Sequence, residues 1–464
     1  MTNPAAAPSL SADLAVIGFG KGGKTLAAAL AKAGRRVVVI EQSAQMYGGT
    51  CINIGCVPTK ALIVRAERHR LGDGDDASWA QAVAETQTLT AAMRAKNFAM
   101  LDTADTATVI TGRASFVDPH TLLVAAGEDR LTVTAETIVI NTGAVPALPE
   151  IDGLAESRRV VTSTELLARA ERPQRLIVLG GGYVGVEFAS MQAAFGVEVT
   201  LVHRGPRILP AEDPDISDRI AALLAEAGVN VITGAAARAV ADAGDAVTVE
   251  YTAADGAVRT VTGDLVLAAL GRRVVTDGLG LAEVGIKTDE KGAVVVDEHL
   301  RTSLPHVFAV GDANGGPQFT YVSLDDYRIV LDQLTGAGIR STADRVAVPH
   351  VVFTTPPLAR VGMTEAEARA SGRDLRIAVR EVADMATVPR AKIVGDARGV
   401  MKAFVDAETD EVLGVTLLAH DAHEVINTVA VAMRLDATAT ALRDGIYTHP
   451  SMTEALNDLF GNLT

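Results

Sequence analysis

Two thiols occupy one short run, Gly48-Gly49-Thr50-Cys51-Ile52-Asn53-Ile54-Gly55-Cys56-Val57-Pro58-Thr59-Lys60, and the chain has no other cysteine. A structural cross-link between residues this close would constrain the unfolded chain little, so a stabilising staple explains the pair poorly. Spacing alone leaves two readings open: a redox pair, or two unrelated cysteines buried as small hydrophobes. The flanking glycines and the Pro58-Thr59-Lys60 that follows favour the redox pair. In a reducing cytosol such a pair would rest as a dithiol, or as a catalytic or sensing disulfide.

Elements able to position these thiols occur twice. Leu14-Ala15-Val16-Ile17 reads as a buried strand, Gly18-Phe19-Gly20-Lys21-Gly22-Gly23 as a glycine loop, and an alanine-rich helix then leads to Val37-Val38-Val39-Ile40-Glu41. The second copy runs Leu176-Ile177-Val178-Leu179, Gly180-Gly181-Gly182-Tyr183-Val184-Gly185, a helix through Phe195, and a strand from Val197 to Val202. The copies lie too far apart for a solenoid repeat and suit two whole domains. Both carry G-x-G-x-x-G between strand and helix, where glycine lets the backbone approach a pyrophosphate and the helix N-terminus attracts it. Two dinucleotide sites are expected; the alternative is a Rossmann-like fold that has lost its site.

The copies differ where a ribose would sit. Glu41 ends the second strand of the first copy, and a carboxylate there accepts hydrogen bonds from ribose hydroxyls. At the matching interval the second copy has His203, followed by Arg204 and Arg207. A basic cluster suits a 2′-phosphate, so NADPH is the expected nucleotide and NADH the alternative. The alternative is that these arginines are merely solvated.

Composition narrows the class. The chain has 464 residues, 48% hydrophobic and 4% aromatic, with Trp79 its single tryptophan and a formal net charge of −15. That length allows about three domains. Few aromatics and an acidic balance argue against nucleic-acid binding. Met1 to Asp13 shows neither a basic nor an apolar signal region, and the run Leu14–Ile17 is too short for a membrane span, so a cytoplasmic enzyme is expected. Strand patterns continue at Val247–Tyr251, Leu265–Leu270 and Val307–Val310, the last followed by Gly311-Asp312. From about Val346 strands and helices alternate without a further phosphate loop, ending in Thr448-His449-Pro450-Ser451-Met452-Thr453-Glu454 and an amphipathic tail.

Taken together, these motifs resemble the pyridine nucleotide–disulfide oxidoreductases, the flavoprotein family of glutathione reductase, dihydrolipoamide dehydrogenase and mercuric reductase, over essentially the whole length. The cysteine run is the most specific motif, supported by Thr142-Gly143, Gly311-Asp312 and the terminal His449-Pro450 with Glu454. Met46-Tyr47-Gly48-Gly49, Phe319 to Tyr327 and Ser451 to Phe460 look most like the reactive-chlorine-resistance branch, which reduces copper(II) and hypothiocyanite-type oxidants. The resemblance implies an α/β fold with two Rossmann-like domains, for FAD and NADPH, plus a C-terminal α+β dimerisation domain. Boundaries are expected at 1–155 for the first part of the FAD domain, 156–275 for the inserted NADPH domain, 276–345 for the returning FAD segment and 346–464 for the interface.

By the same resemblance, Gly18, Gly20, Gly23, Glu41, Gly49, Thr50, Thr142, Gly143, Gly311 and Asp312 would hold FAD. Gly180, Gly182, Gly185, His203, Arg204, Arg207 and Gly271 would hold the nicotinamide nucleotide, with Tyr183 covering the flavin until nicotinamide arrives. Lys60 and Glu187 match an ion pair beside the flavin. Cys56 would be the flavin-side thiol and Cys51 the outer one. A helix beginning at these cysteines must distort to bring residues five apart together. His449, oriented by Glu454 and supplied by the second subunit of a homodimer, would be the acid–base. His420 and His423 read as surface histidines, and no metal site is expected.

Departures limit the substrate. The chain ends without the second cysteine pair of mercuric reductases, and Tyr321-Val322-Ser323 replaces the Thr-Pro-Val-Ala common in glutathione and lipoamide reductases. The expected acceptor is therefore a small oxidant or metal ion, such as copper(II) or hypothiocyanite. The alternatives are a glutathione- or lipoamide-type disulfide reductase and a flavin-bearing redox sensor.

Overall fold

The computed structural model describes residues 8–73 and 78–464. Valine-rich strands flank the first glycine loop: Ser9–Ile17 lies parallel to Val37–Glu41 on one side and to Asp129–Ile140 on the other. Val37–Glu41 is buried along its whole length, as a parallel strand covered on both faces must be. Ala107–Thr111 adds a parallel edge, while Thr121–Ala126 and Arg113–Asp118 continue the sheet antiparallel. Much later in the chain, Val307–Ala309 returns to pair parallel with Asp129–Ile140. Residues on both sides of the second glycine unit thus build the first sheet.

The second unit is a five-stranded parallel sheet ordered Asn230–Ile232, Glu198–Val202, Arg175–Leu179, Leu265–Ala268 and Val160–Val161. It carries an antiparallel meander of Ala236–Ala243, Ala246–Thr252 and Val258–Gly263, of which the sequence pattern reveals only the middle strand. The outgoing Ala144–Pro146 and returning Arg272–Val274 pair antiparallel and join the two units.

Close packing explains the glycine loops. Gly18 and Gly180 adopt φ of 102° and 113°, a region other residues rarely enter. A Cβ on Gly23 would stand 2.6 Å from Val16 Cγ1, so the helix Lys21–Lys32 meets its strand only because that residue has no side chain.

The C-terminal part is an antiparallel sheet rather than a simple alternation of strands and helices. Its order is His350–Val352, Leu358–Gly362, Val412–Leu418, Val400–Asp406 and Leu375–Glu381. The strands Val400–Asp406 and Val412–Leu418 are buried throughout, and the helices Ala422–Arg434 and Ala455–Gly461 share their hydrophobic core. Ile446 is fully exposed at 101% and Leu435 at 74%, apolar surface of the kind a subunit contact covers. Among the described residues, no helix is long and apolar enough to cross a membrane.

Candidate active site

The helix carrying the thiols does break. Thr50–Asn53 forms one turn, Ile54 and Gly55 leave helical geometry at φ −141° and −129°, and a new helix, Cys56–Arg68, begins. A Cβ on Gly55 would lie 3.0 Å from the Thr50 carbonyl, so a larger residue would strain the break. The break sets the two free thiols at the ends of successive helical segments, close enough that each shifts the other's acidity.

That contact splits their acidities. The hydrogen bond from Cys51, aided by Thr320 and the Lys60 charge, outweighs burial and brings the Cys56 thiol down to about 6. Cys56 also opens a 13-residue helix, where the helix dipole favours a thiolate. Thr320 Oγ1 lies 3.7 Å from the Cys56 sulfur. Cys51 moves the other way, raised by its neighbour Cys56 and by its own partial burial. Cys56 is the thiolate of the pair at neutral pH, and Cys51 needs an external base.

Lys60 Nζ lies 2.6 Å from Glu187 Oε2 and 4.7 Å from the centre of the Phe353 ring. Glu187 Oε1 accepts the Phe353 N–H at 3.0 Å, which fixes the carboxylate. This pair ties the thiol helix to the helix Tyr183–Ala194 of the second unit.

Around the first glycine loop the expected residues converge. Glu41 is buried at its strand end, accepting the Phe19 N–H at 3.0 Å and the Ser43 N–H at 3.1 Å, and burial raises its carboxyl. A Cβ on Gly49 would stand 2.7 Å from Gly20 Cα, so the thiol segment presses directly on the loop. Thr50 Oγ1 approaches Gly143, whose φ is 72°. Gly311 donates to Asp326 at 2.6 Å, and Asp312, raised by burial, lies 3.7 Å from Arg272.

These residues fit FAD. Thr142 Oγ1 is buried without a hydrogen-bond partner. Among the described residues, Lys24, 4% exposed, donates only to neutral oxygens, the Gly48 carbonyl at 3.1 Å and the Asn97 amide at 2.5 Å. Burial pulls its ammonium down to about 8. An orphan hydroxyl and a buried cation without a paired anion beside a glycine cradle are what a diphosphate would satisfy.

Around the second loop one expectation needs correction. His203 is not part of a cationic cluster: its Nδ1 accepts the Gly181 N–H at 3.1 Å and burial lowers its pKa, so the ring is neutral. It repeats the Glu41–Phe19 contact of the first loop with an imidazole in place of the acid. Nε2 is buried and turned toward the Arg207 backbone. Arg204 is exposed, while Arg207 pairs with Asp218 at 2.8 Å on the surface. Gly182 and Gly185 bracket the start of the loop's helix, and Gly271, at φ 117°, ends the run after Leu265–Ala268. Tyr183 opens that helix, and its hydroxyl donates to Glu212 at 2.9 Å.

His449 stands apart from the thiols in sequence and in element. Its Nδ1 bonds Glu454 at 2.8 Å, and Glu454 also accepts the Ser451 N–H at 3.1 Å. The imidazole side chain is 67% exposed, oriented but open. His420 and His423 each sit beside an acidic neighbour, Asp421 and Glu424, and among the described residues no group of three ligating side chains could hold a metal.

Sequence reading passes over several residues that complete these sites. Lys24 directly follows Gly23 and looks like an ordinary helix lysine until its burial is seen. Thr320 opens the helix Thr320–Thr335, and Ser323 Oγ accepts the Gly22 N–H at 3.1 Å. Glu212, His350 and Arg360 meet only through tertiary contacts.

Known proteins match nearly the whole chain. Residues 12–326 match the family described as pyridine nucleotide-disulphide oxidoreductase, and residues 348–460 match its dimerisation domain. The chain is 47% identical over 445 residues to the probable pyridine nucleotide-disulfide oxidoreductase RclA of Escherichia coli strain K12, covering 96% of this chain and 98% of that protein. It is 37% identical to a mercuric reductase of Streptomyces lividans over 96% of this chain and 94% of that protein. A dihydrolipoyl dehydrogenase of Mycobacterium tuberculosis is 32% identical over 97% and 98%. A solved structure described as the Cu(II) complex of the HOCl-induced flavoprotein disulfide reductase RclA from E. coli superposes with a TM-score of 0.92 at 46% identity, covering 97% of this chain and 99% of that one. Membership implies use of FAD and a nicotinamide dinucleotide. The chain belongs to the pyridine nucleotide-disulphide oxidoreductases.

Proposed function

We propose that this protein is a homodimeric, cytoplasmic flavoprotein that passes electrons from NADPH through the Cys51–Cys56 pair to a small oxidant or metal ion, copper(II) foremost. The observation that carries this reading is the pair of thiols on either side of a broken helix, beside the Lys60–Glu187 ion pair, with Cys56 shifted toward its thiolate and Cys51 toward its thiol. FAD, when bound, supplies the two-electron step between nicotinamide and sulfur. Cys56, steadied by Lys60, Glu187 and Thr320, is the inner thiol. Cys51 is the outer thiol that meets the acceptor. Its proton passes to His449, held by Glu454, with the histidine of one subunit serving the thiols of the other.

Support for copper comes from two sides. The similar E. coli flavoprotein has been solved as a Cu(II) complex, and soft thiolates are suited to the Cu(I) that reduction yields. Hypothiocyanite-type oxidants are the companion substrates expected from the branch the motifs resemble. For the nucleotide, Arg204 and Arg207 beside the second loop, with no carboxylate at position 203, favour the 2′-phosphate of NADPH.

A turnover panel tests the proposal: copper(II), hypothiocyanite, glutathione disulfide, lipoamide and mercury(II), each with NADPH and with NADH. The expected result is fast reduction of copper(II) or hypothiocyanite, preferring NADPH, with the two disulfides nearly inert. Efficient lipoamide or glutathione disulfide turnover would overturn the acceptor, and equal rates with both nucleotides would overturn the phosphate reading.

A further inference from the structure

The loop between the second nucleotide strand, Glu198–Val202, and the helix Pro214–Glu226 touches more of the site than its role as a connection requires. It begins at His203 and Arg204. It returns to the glycine loop at Leu209, whose N–H donates to the Gly181 carbonyl at 2.7 Å. It then buries Glu212, whose side chain is 1% exposed.

Among the described residues, three side chains hold that carboxylate. Oε1 accepts the Tyr183 hydroxyl at 2.9 Å and lies 3.0 Å from His350 Nε2; Oε2 accepts Arg360 Nε at 2.9 Å. Burial would raise the Glu212 carboxyl, but His350 and Arg360 outweigh it and hold it at about 2, so it is ionised. Burial raises the Tyr183 phenol, which therefore stays a donor. The Tyr183 ring also stacks on His350, centroids 5.8 Å apart. His350 and Arg360 are register partners on adjacent strands of the C-terminal sheet. The next residues anchor there as well: Asp213 accepts the Glu365 N–H at 3.1 Å, and Asp215 lies 3.0 Å from Lys402 Nζ, itself 1% exposed.

We infer that Glu212 is a positioning residue that latches the Tyr183 ring in its closed place, with the C-terminal sheet holding the latch through Arg360 and His350. The inference rests on the reading of Tyr183 as the aromatic cover of the nicotinamide pocket. A charge-assisted bond from phenol to carboxylate favours the closed ring, and moving the ring aside breaks it. The nicotinamide ring then competes against the latch, and its apparent affinity falls with the fraction of open protein. The latch makes access to the pocket depend on packing between the second unit and the C-terminal sheet.

Equilibrium binding of NADP+ to the oxidised holoenzyme, measured by calorimetry without turnover, tests this. Tyr183→Phe keeps the ring and its stack but removes the hydroxyl; Glu212→Gln keeps the volume but removes the charge; Tyr183→Ala removes the cover. The latch predicts NADP+ binding tighter by about tenfold in Tyr183→Phe and in Glu212→Gln. Structural damage alone would weaken binding rather than tighten it. Unchanged or weaker binding in Tyr183→Phe, with Tyr183→Ala tighter, would overturn the latch and leave the cover standing. No change in any of the three would overturn both. If Glu212→Gln fails to fold, Tyr183→Phe decides.

Discussion

Lys60 Nζ lies 2.6 Å from Glu187 Oε2, and this contact joins the helix that begins at Cys56 to the helix that begins at Tyr183. Glu187 is nearly buried, whereas Lys60 keeps partial access to water. Lys60→Met should therefore lower the unfolding temperature, by the equivalent of about 2 kcal/mol once solvent screening of the lysine is discounted. Lys60→Arg should recover most of it. Equal melting temperatures for wild type and Lys60→Met would show the pair to be incidental.

The Cys56 thiolate should be visible in its chemistry. In the reduced protein, alkylation at Cys56, followed by mass spectrometry, should rise through a midpoint near pH 6, against about 8.5 for an ordinary thiol. Cys51→Ala removes the strongest stabilising hydrogen bond and should move the midpoint upward. A midpoint above 8 in the wild type would contradict the split between the thiols.

Much of this site is legible in residue order, and the reason is locality. Both glycine loops, the cysteine run and the His449–Glu454 spacing are short motifs whose chemistry depends on near neighbours. Lys60 and Glu187 are far apart in sequence and became a pair only through the family resemblance. What stayed hidden depends on packing. Lys24 becomes unusual only when its burial beside neutral oxygens is known. His203, Arg204 and Arg207 read in sequence as one basic cluster, yet the His203 ring turns inward to accept the Gly181 N–H and burial lowers its pKa. Glu212, His350 and Arg360 come from different sheets, and no spacing rule could gather them.

Lys24 makes a pH-dependent prediction. Its folded-state pKa, about 8, lies below the ordinary 10.5, so between those values the unfolded chain binds more protons at this site. Stability should therefore rise with pH across that window in protein stripped of FAD. Relative to Lys24→Met, the wild type should gain about 3 kcal/mol at most from pH 8 to 10.5. Restoring FAD should flatten the difference, because a diphosphate keeps the ammonium charged. Parallel stability curves for the two stripped proteins would refute the assignment.

Assembly of the site across two subunits can be tested by complementation. Cys51→Ser and His449→Ala should each reduce turnover, the latter by about 10²- to 10⁴-fold. A heterodimer of the two variants contains one intact pairing and should recover about half the wild-type rate. Recovery no greater than in the parent variants would mean that the histidine and the thiols act within one chain.

The most direct measurement is anaerobic addition of NADPH to the FAD-loaded enzyme while recording its visible spectrum. The account predicts a long-wavelength charge-transfer absorbance from the Cys56 thiolate, retained in Cys51→Ser and absent in Cys56→Ser. Bleaching of the flavin with no such absorbance in the wild type, or the same absorbance in Cys56→Ser, would contradict electron passage through this pair.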